Sequence, residues 1–303
     1  LDQVIDISED GRHLSRDKGF LKVTEDGTEI GRVPLDQIAA VIVHGHGTTW
    51  TTSLLVELGN RGVAVVLCDK RHAPRGVLMP IEGHHTQGAR MRAQWEASRP
   101  LMKRAWKQIV VSKIRMQEQV LACAGLPSAR LKQLAGKVTS GDSSNVEAQA
   151  ARFYWPLLMG IDFRRDSDSS GSNSLLNYGY TILRSAASRA VVAAGLHPTI
   201  GIHHSNRGNA FALSDDIMEP FRPLVDCCVR NIVHDQGTEV NTNAKMALTR
   251  LIAVDLPVED STTPLSLALV RLAASLGRSL ESGELQLALP TTPGPVFLSS
   301  LGR

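Results

Sequence analysis

Residues 73–90 read APRGVLMPIEGHHTQGAR, and the chain changes character across them. Two prolines and three glycines interrupt this stretch, too many for one long regular element, so it reads as a linker or crossover. Before it come short β-branched runs: VIDI at 4–7, HLSRDKGFLKVT at 13–24, TEIGRVP at 28–34, IAAVIVHG at 38–45 and VAVVLCD at 63–69. Gly, Pro and Asp-Gly separate them, the punctuation of strands, and Asp26-Gly27 between two alternating runs predicts a hairpin. TSLLVELGNRG at 52–62 spaces Leu54, Leu55 and Leu58 as a helix does and stops at Asn60 and Gly62. After the linker the pattern becomes helical. Over 88–124, Met91, Trp95, Leu101, Met102, Ile109, Val110 and Ile114 recur every three or four positions with Arg and Lys between them. Further helical segments fit 126–137, 145–159, 173–194, 214–232, 241–253 and 262–282.

The fold class expected is therefore α+β. A β-rich domain at 1–80, suited to pairing rather than chemistry, and a linker at 81–90 precede an all-α domain at 91–285. The tail at 286–303, rich in Pro and Gly, is expected to lie loosely on a surface. With 303 residues, 43% of them apolar, the chain can build such cores, and no run of 18 apolar residues offers a membrane span. The N-terminus lacks the basic and apolar blocks of a signal peptide. Cys68, Cys123, Cys227 and Cys228 show no framework spacing and read as reduced thiols of a cytoplasmic protein.

A net charge of +3 hides a strong asymmetry. Residues 84–137 carry 11 basic side chains against 2 acidic, a net of +9, while the segments on either side are each −3. Concentrated positive charge of this kind is an electrostatic footprint for phosphate backbone, or else a solvated helix face. Only 13 aromatic residues are present, which argues against a binder built on base-stacking platforms.

Three regions gather groups able to hold a hard divalent cation. In SSNVEAQAARFYWPLLMG (143–160), Ser144 or Asn145 can cap a helix whose first turn holds Glu147, and a lone Glu there is ordinarily a dipole partner. GLHPTIGIHHSNRGN (195–209) offers His197, His203 and His204, of which neighbours 203 and 204 face different ways. ALSDDIMEPFRPLVD (212–226) places Asp215, Asp216 and Glu219 at i, i+3 and i, i+4 spacings, where like charges repel and a cation relieves them. Pro220 should bend that helix and aim Glu219 into a cleft; the plainer reading makes Ser214 an N-cap with acids in its first turn. One imidazole with two or three carboxylates suits Mg²⁺ or Mn²⁺ better than structural zinc. HGHG at 44–47 and the Glu82/His84/His85 group rank lower, the first as a strand-end turn and the second for want of another acid.

NVEAQAARFYWPLLMG at 145–160 and AAGLHPTIGIHHSNRGNAFALSDDIMEPFRPLVD at 193–226 resemble the CRISPR-associated integrase family, the larger subunit of the spacer-acquisition complex. The GIHH and DDIMEPFRP wording is most similar to members that accompany type II CRISPR systems. The resemblance implies metal ligands at Glu147, His204 and Glu219, with Asp216 a further acid beside the metal. Many relatives carry Asp where this chain has Glu219. It implies strand transfer, in which the 3′-hydroxyl of a short captured DNA attacks a phosphodiester at the edge of a CRISPR repeat, and hydrolysis when water replaces that hydroxyl. The implied partners are double-stranded DNA, a second copy paired through the N-terminal domain, a small second adaptation subunit and other type II proteins. Candidate DNA contacts are Arg90, Arg92, Lys103, Arg104 and Lys107 from the basic stretch, and Arg152, Tyr154, Arg207 and Arg222 by proximity in sequence. Two other readings compete: a non-catalytic DNA-binding scaffold, and a metal-dependent hydrolase of a small molecule.

Overall fold

A computed structural model describes residues 3–302 apart from 70–73, 79, 81–83, 85, 205, 207 and 259–260. It divides into two compact units, Leu1–Gly83 and His84–Arg303.

The first unit runs β1 (Gln3–Ile7), β2 (Arg12–Asp17), β3 (Phe20–Glu25), β4 (Thr28–Pro34), β5 (Ile38–Val43), β6 (Thr49–Trp50), α1 (Thr52–Asn60), β7 (Ala64–Cys68) and β8 (Pro74–Leu78). Two four-stranded sheets result, ordered β1-β5-β7-β8 and β4-β3-β2-β6. Asp26 and Gly27 both have positive φ, 47° and 81°, as a two-residue primed turn needs, and Glu25 pairs with Thr28 across it. The run 13–24 is not one strand. Lys18 takes φ 53°, and the chain reverses so that Asp17 pairs with Phe20. β5 and β7 are parallel neighbours inside their sheet. Val41 and Ile42, which point to opposite faces, are both fully buried, and this explains why their sequences are continuously apolar. Leu14, Leu21, Leu54 and Leu58 join Val41 and Val65 in the core.

The second unit runs α2 (Gln87–Glu96), α3 (Arg99–Cys123), α4 (Ala129–Ala135), α5 (Val146–Met159), α6 (Ser172–Ala193), α7 (Ala212–Met218), α8 (Arg222–Gln236), α9 (Thr242–Arg250), β9 (Asp255–Val258), β10 (Ser261–Pro264), α10 (Leu265–Ser282) and α11 (Pro295–Ser300). The long helical stretch breaks where Ser98 caps α3, its Oγ accepting from the Leu101 amide at 3.4 Å, with Pro100 in the first turn. α3 packs against α4, α5 and α8, while α6 packs against α7, α8, α9 and α10.

Four sequence expectations need correction. Residues 74–78, read as the start of a linker, form strand β8 antiparallel to β7, and α2 begins at Gln87 inside the expected linker. The helical unit also carries an antiparallel strand pair, β9 with β10, whose sequence includes β-branched Val258, Thr262 and Thr263. The tail is not loose. Leu298 and Leu301 are buried, and the Asn231 amide donates to both their carbonyls, at 3.2 and 2.8 Å. Finally, Ser214 is no cap; it lies buried inside α7 and receives the Ser188 hydroxyl at 2.9 Å. All four cysteines are free, and burial raises the Cys68, Cys227 and Cys228 thiols to about 12. Among the described residues, no helix is long and apolar enough to cross a membrane.

Candidate metal centre

The start of α5 is fixed by side chains that precede it. Asn145, in the left-handed region, accepts from the Ala148 amide at 3.4 Å. Asp142 does more: its carboxylate takes the Val146 and Glu147 amides at 2.8 and 3.0 Å. Glu147 is thereby held in the first turn and reaches toward α3. There it meets Lys113, whose Nζ donates to Glu147 Oε1 at 2.5 Å. Glu219 approaches the same ammonium from the other side, its Oε2 also 2.5 Å from Nζ.

Glu219 opens a 3-10 turn at 219–221 between α7 and α8, where Pro220 interrupts the regular helix as expected. Its Oε1 lies 3.0 Å from Arg222 Nε, and the Arg222 guanidinium sits over the Tyr180 ring at 4.8 Å. Burial pushes the Glu219 carboxyl up, but Arg222 and Lys113 outweigh it and leave the group below its ordinary range. The reverse holds for Lys113, which burial pulls down and the two glutamates raise further.

Asp216 organises the histidine loop. Wholly buried, it accepts the amides of Ile202 at 2.5 Å, His203 at 3.0 Å and His204 at 3.4 Å. A β-carbon at Gly201 would lie 2.4 Å from the His204 carbonyl and 2.9 Å from Asp216, so only glycine allows this approach. The same carboxylate meets His204 Nδ1 at 2.6 Å, which leaves Nε2 as the nitrogen available to a ligand. That bond raises the His204 pKa against partial burial. His203 behaves differently, its ring stacked flat on Trp106 of α3 at 4.3 Å.

The three neighbouring acids do not share one cation. Asp215 is taken by Arg184 at 2.7 Å and Asn209 at 2.8 Å, Asp216 by the loop, and Glu219 by Lys113 and Arg222. Among the described residues, no three His, Cys, Asp or Glu side chains converge on one point. Two do so through Lys113, with His204 near enough that Glu219's charge raises the imidazole and the imidazole in turn lowers the Glu219 carboxyl.

The expected DNA contacts divide sharply. Arg92, Lys103, Arg104, Lys107 and Arg152 are exposed; Lys107 also lines a groove of about 460 Å³ with Arg115, Ser112 and Thr291. Tyr154 is fully buried and cannot touch DNA; the apolar periodicity of α5 turns it into the core. Arg90 is likewise engaged inside the unit, donating to the Ala194 carbonyl at 2.8 Å and pairing with Glu281 at 3.4 Å. Arg222 faces Glu219 rather than solvent, and Arg207 falls outside the described residues, as do Glu82 and His85 of the lower-ranked cluster.

Sequence reasoning passed over Lys113, Asp142, Trp106 and Asp226. The signal for Lys113 was its place on the apolar face of α3, three and four positions after Val110 and Ile109. Asp226, buried on α8, accepts the Tyr180 hydroxyl at 2.5 Å and is close enough to interact with Lys113 and Arg222; burial raises it to about 6 against those influences.

A β-rich unit followed by a helical unit is a fold with solved members. A casposase bound to its integration product superposes with a TM-score of 0.79 over 99% of this chain and 94% of that one, at 18% identity. A Cas1 protein from Thermotoga maritima gives 0.77 over 94% and 99%, at 17% identity. Sequence narrows the class. Residues 5–249 match the family described as CRISPR associated protein Cas1. The CRISPR-associated endonuclease Cas1 of Neisseria meningitidis serogroup C is 35% identical over 84% of each chain. A second such endonuclease, from Pyrobaculum aerophilum, is 29% identical over 89% of this chain and 96% of its own. The chain belongs to the Cas1 family.

Proposed function

We propose that this protein is a divalent-metal-dependent DNA endonuclease and integrase, which inserts short foreign DNA into a CRISPR array by 3′-hydroxyl strand transfer. The observation that carries the reading is the convergence of Glu147 and Glu219, from separate segments, on one cationic point beside a carboxylate-oriented histidine. The donor set fits a hard ion. Glu219 Oε2 is buried and receives no properly directed hydrogen bond, although the Lys113 ammonium is in contact with it. Glu147 Oε1 faces the same point, and His204 has Nε2 to offer. A bound Mg²⁺ or Mn²⁺ supplies charge stabilisation at the scissile phosphorus and lowers the pKa of the attacking hydroxyl or water.

The chain's own residues do the rest. Asp216 fixes the loop and, through Nδ1, the orientation of the imidazole, so that His204 turns Nε2 toward a ligand. Arg222 balances the buried Glu219 charge. Trp106, with His203 stacked on it, walls the loop. The exposed cations of α2 and α3 gather DNA by phosphate contacts. The relatives support the partners: one solved structure is a Cas6-RT-Cas1–Cas2 complex, to which this chain is 22% identical with a TM-score of 0.74. A homodimer, together with a small second subunit, places two such sites on the two ends of one captured DNA.

The test is strand transfer of labelled prespacer DNA into a repeat-containing duplex, with and without Mn²⁺ and the small subunit. Product that requires the metal and disappears in Glu147→Ala supports the reading; metal-independent product refutes it. A scaffold without chemistry would give no product under any condition.

A further inference from the structure

Lys113 stands at the point where a metal ion is proposed, and strand transfer assigns it no role. Its Nζ is 2.5 Å from Glu147 Oε1 and 2.5 Å from Glu219 Oε2, and its side chain is only 14% exposed. Glu147 and Glu219 come from segments 72 positions apart, and two carboxylates drawn together out of water repel unless a positive charge lies between them. Arg222 compensates Glu219 alone. Among the described residues, Lys113 is the cation that reaches both. A divalent ion would bind oxygens at about 2.0–2.2 Å, and no room for both that ion and the ammonium exists at one point between the same two oxygens.

We propose that Lys113 is a place-holding cation: its ammonium keeps Glu147 and Glu219 turned toward one point in the metal-free protein, and a divalent ion takes that point by displacing it. This rests on the assignment of Glu147 and Glu219 as ligands. Lys113 is then a positioning residue that sets metal affinity by competition. Removing its charge tightens metal binding, because a unit charge a few ångströms from a divalent ion opposes it strongly even at a high effective dielectric. A lysine with a merely structural role gives the opposite sign, since its loss would disorder the two carboxylates and weaken binding.

The experiment is a Mn²⁺ titration of the full chain without DNA, followed by electron paramagnetic resonance, on the wild type and on Lys113→Met, Lys113→Arg and Glu147→Gln. Lys113→Met should bind Mn²⁺ at least about tenfold more tightly, Lys113→Arg should stay within about threefold of the wild type because it keeps the charge, and Glu147→Gln should bind more weakly. If Glu147→Gln weakens binding while Lys113→Met leaves it unchanged or weaker, the place-holding role is wrong and the ligand assignment stands. If Glu147→Gln has no effect, the ligand assignment fails and the proposal falls with it. Should Lys113→Met not fold, lysine acylation of the wild type read by mass spectrometry decides. Lys113 is guarded without metal and becomes several-fold more reactive with Mn²⁺; equal labelling in both states overturns displacement.

Discussion

Replacing Asp226 by asparagine should stabilise the protein at pH 7.5 and change little near pH 4. Asp226 is buried between α5, α6 and α8, where it accepts the Tyr180 hydroxyl at 2.5 Å. The Tyr154 hydroxyl, Lys113, Arg222 and Cys227 are the other titratable or charged groups around it. Burial is the largest influence and raises its pKa from 3.8 to about 6, against the pull of Tyr180, Tyr154, Lys113 and Arg222. For a raised carboxyl, the native state holds its proton more tightly than the unfolded chain does. Stability therefore falls as pH rises from about 4 to about 6, and the deficit stays constant above that. A displacement of this size corresponds to roughly 3 kcal/mol at pH 7.5 and well under 1 kcal/mol at pH 4. Asparagine keeps an oxygen for Tyr180 and carries no charge to bury, so it removes the deficit. Thermal unfolding of both proteins across pH 4–8 measures this. The gain at pH 7.5 should be roughly 6–12 °C for a unit of this size, shrinking steadily toward pH 4. A difference that does not vary with pH, or a variant less stable at pH 7.5, would refute the assignment of a strained buried carboxylate.

Alanine at Glu147 or His204 should reduce strand transfer to background while thermal stability stays within a few degrees; His203→Ala, which loses a ring stack, should retain most activity. Equal loss from His203 and His204 would show that His204 is the wrong choice between the two histidines. Neutralising Lys103, Arg104 and Lys107 together should flatten the slope of log K against log salt by about 0.9 per lost phosphate contact, as read by duplex-binding titrations, whereas Arg90→Ala should lower stability and leave that slope unchanged. Leu298→Ala should destabilise the helical unit by about 2–5 kcal/mol, measurable by urea unfolding; a negligible effect would mean that the tail packs elsewhere. Gly201→Ala should lower strand transfer by spoiling the loop around Asp216, with secondary structure by circular dichroism unchanged.

Much of the architecture was legible because it depends on local pattern. The Asp26-Gly27 turn needs two positive φ values that those residues tolerate, and the α1 helix needs leucines on one face and a stop at Gly62. The helix break at Ser98-Pro100 was missed because the apolar spacing of α2 and α3 stays nearly in phase across it. The β9–β10 pair escaped for a related reason: strands of four residues leave too short a period to separate from the start of α10. Tyr154 was misjudged as a DNA contact because nearness in sequence to Glu147 says nothing about depth; seven residues on, it shares that inward face of α5 two turns further along, where it is fully buried.

Sequence alone determined the order of the β-rich and helical units, the concentration of positive charge at 84–137, and the three segments that hold Glu147, His204 and Glu219. These follow from periodicity, composition and motif wording, each readable within a few dozen residues. Tertiary structure decided which groups face one another: Lys113 between Glu147 and Glu219, Asp216 as the hub of the histidine loop, Asp215 turned away to Arg184, and Asp226 buried against Tyr180. Such pairings join residues 12 to 106 positions apart: a buried charge costs free energy unless an opposite charge or a hydrogen-bond donor meets it, and only the packing of distant segments decides which group does.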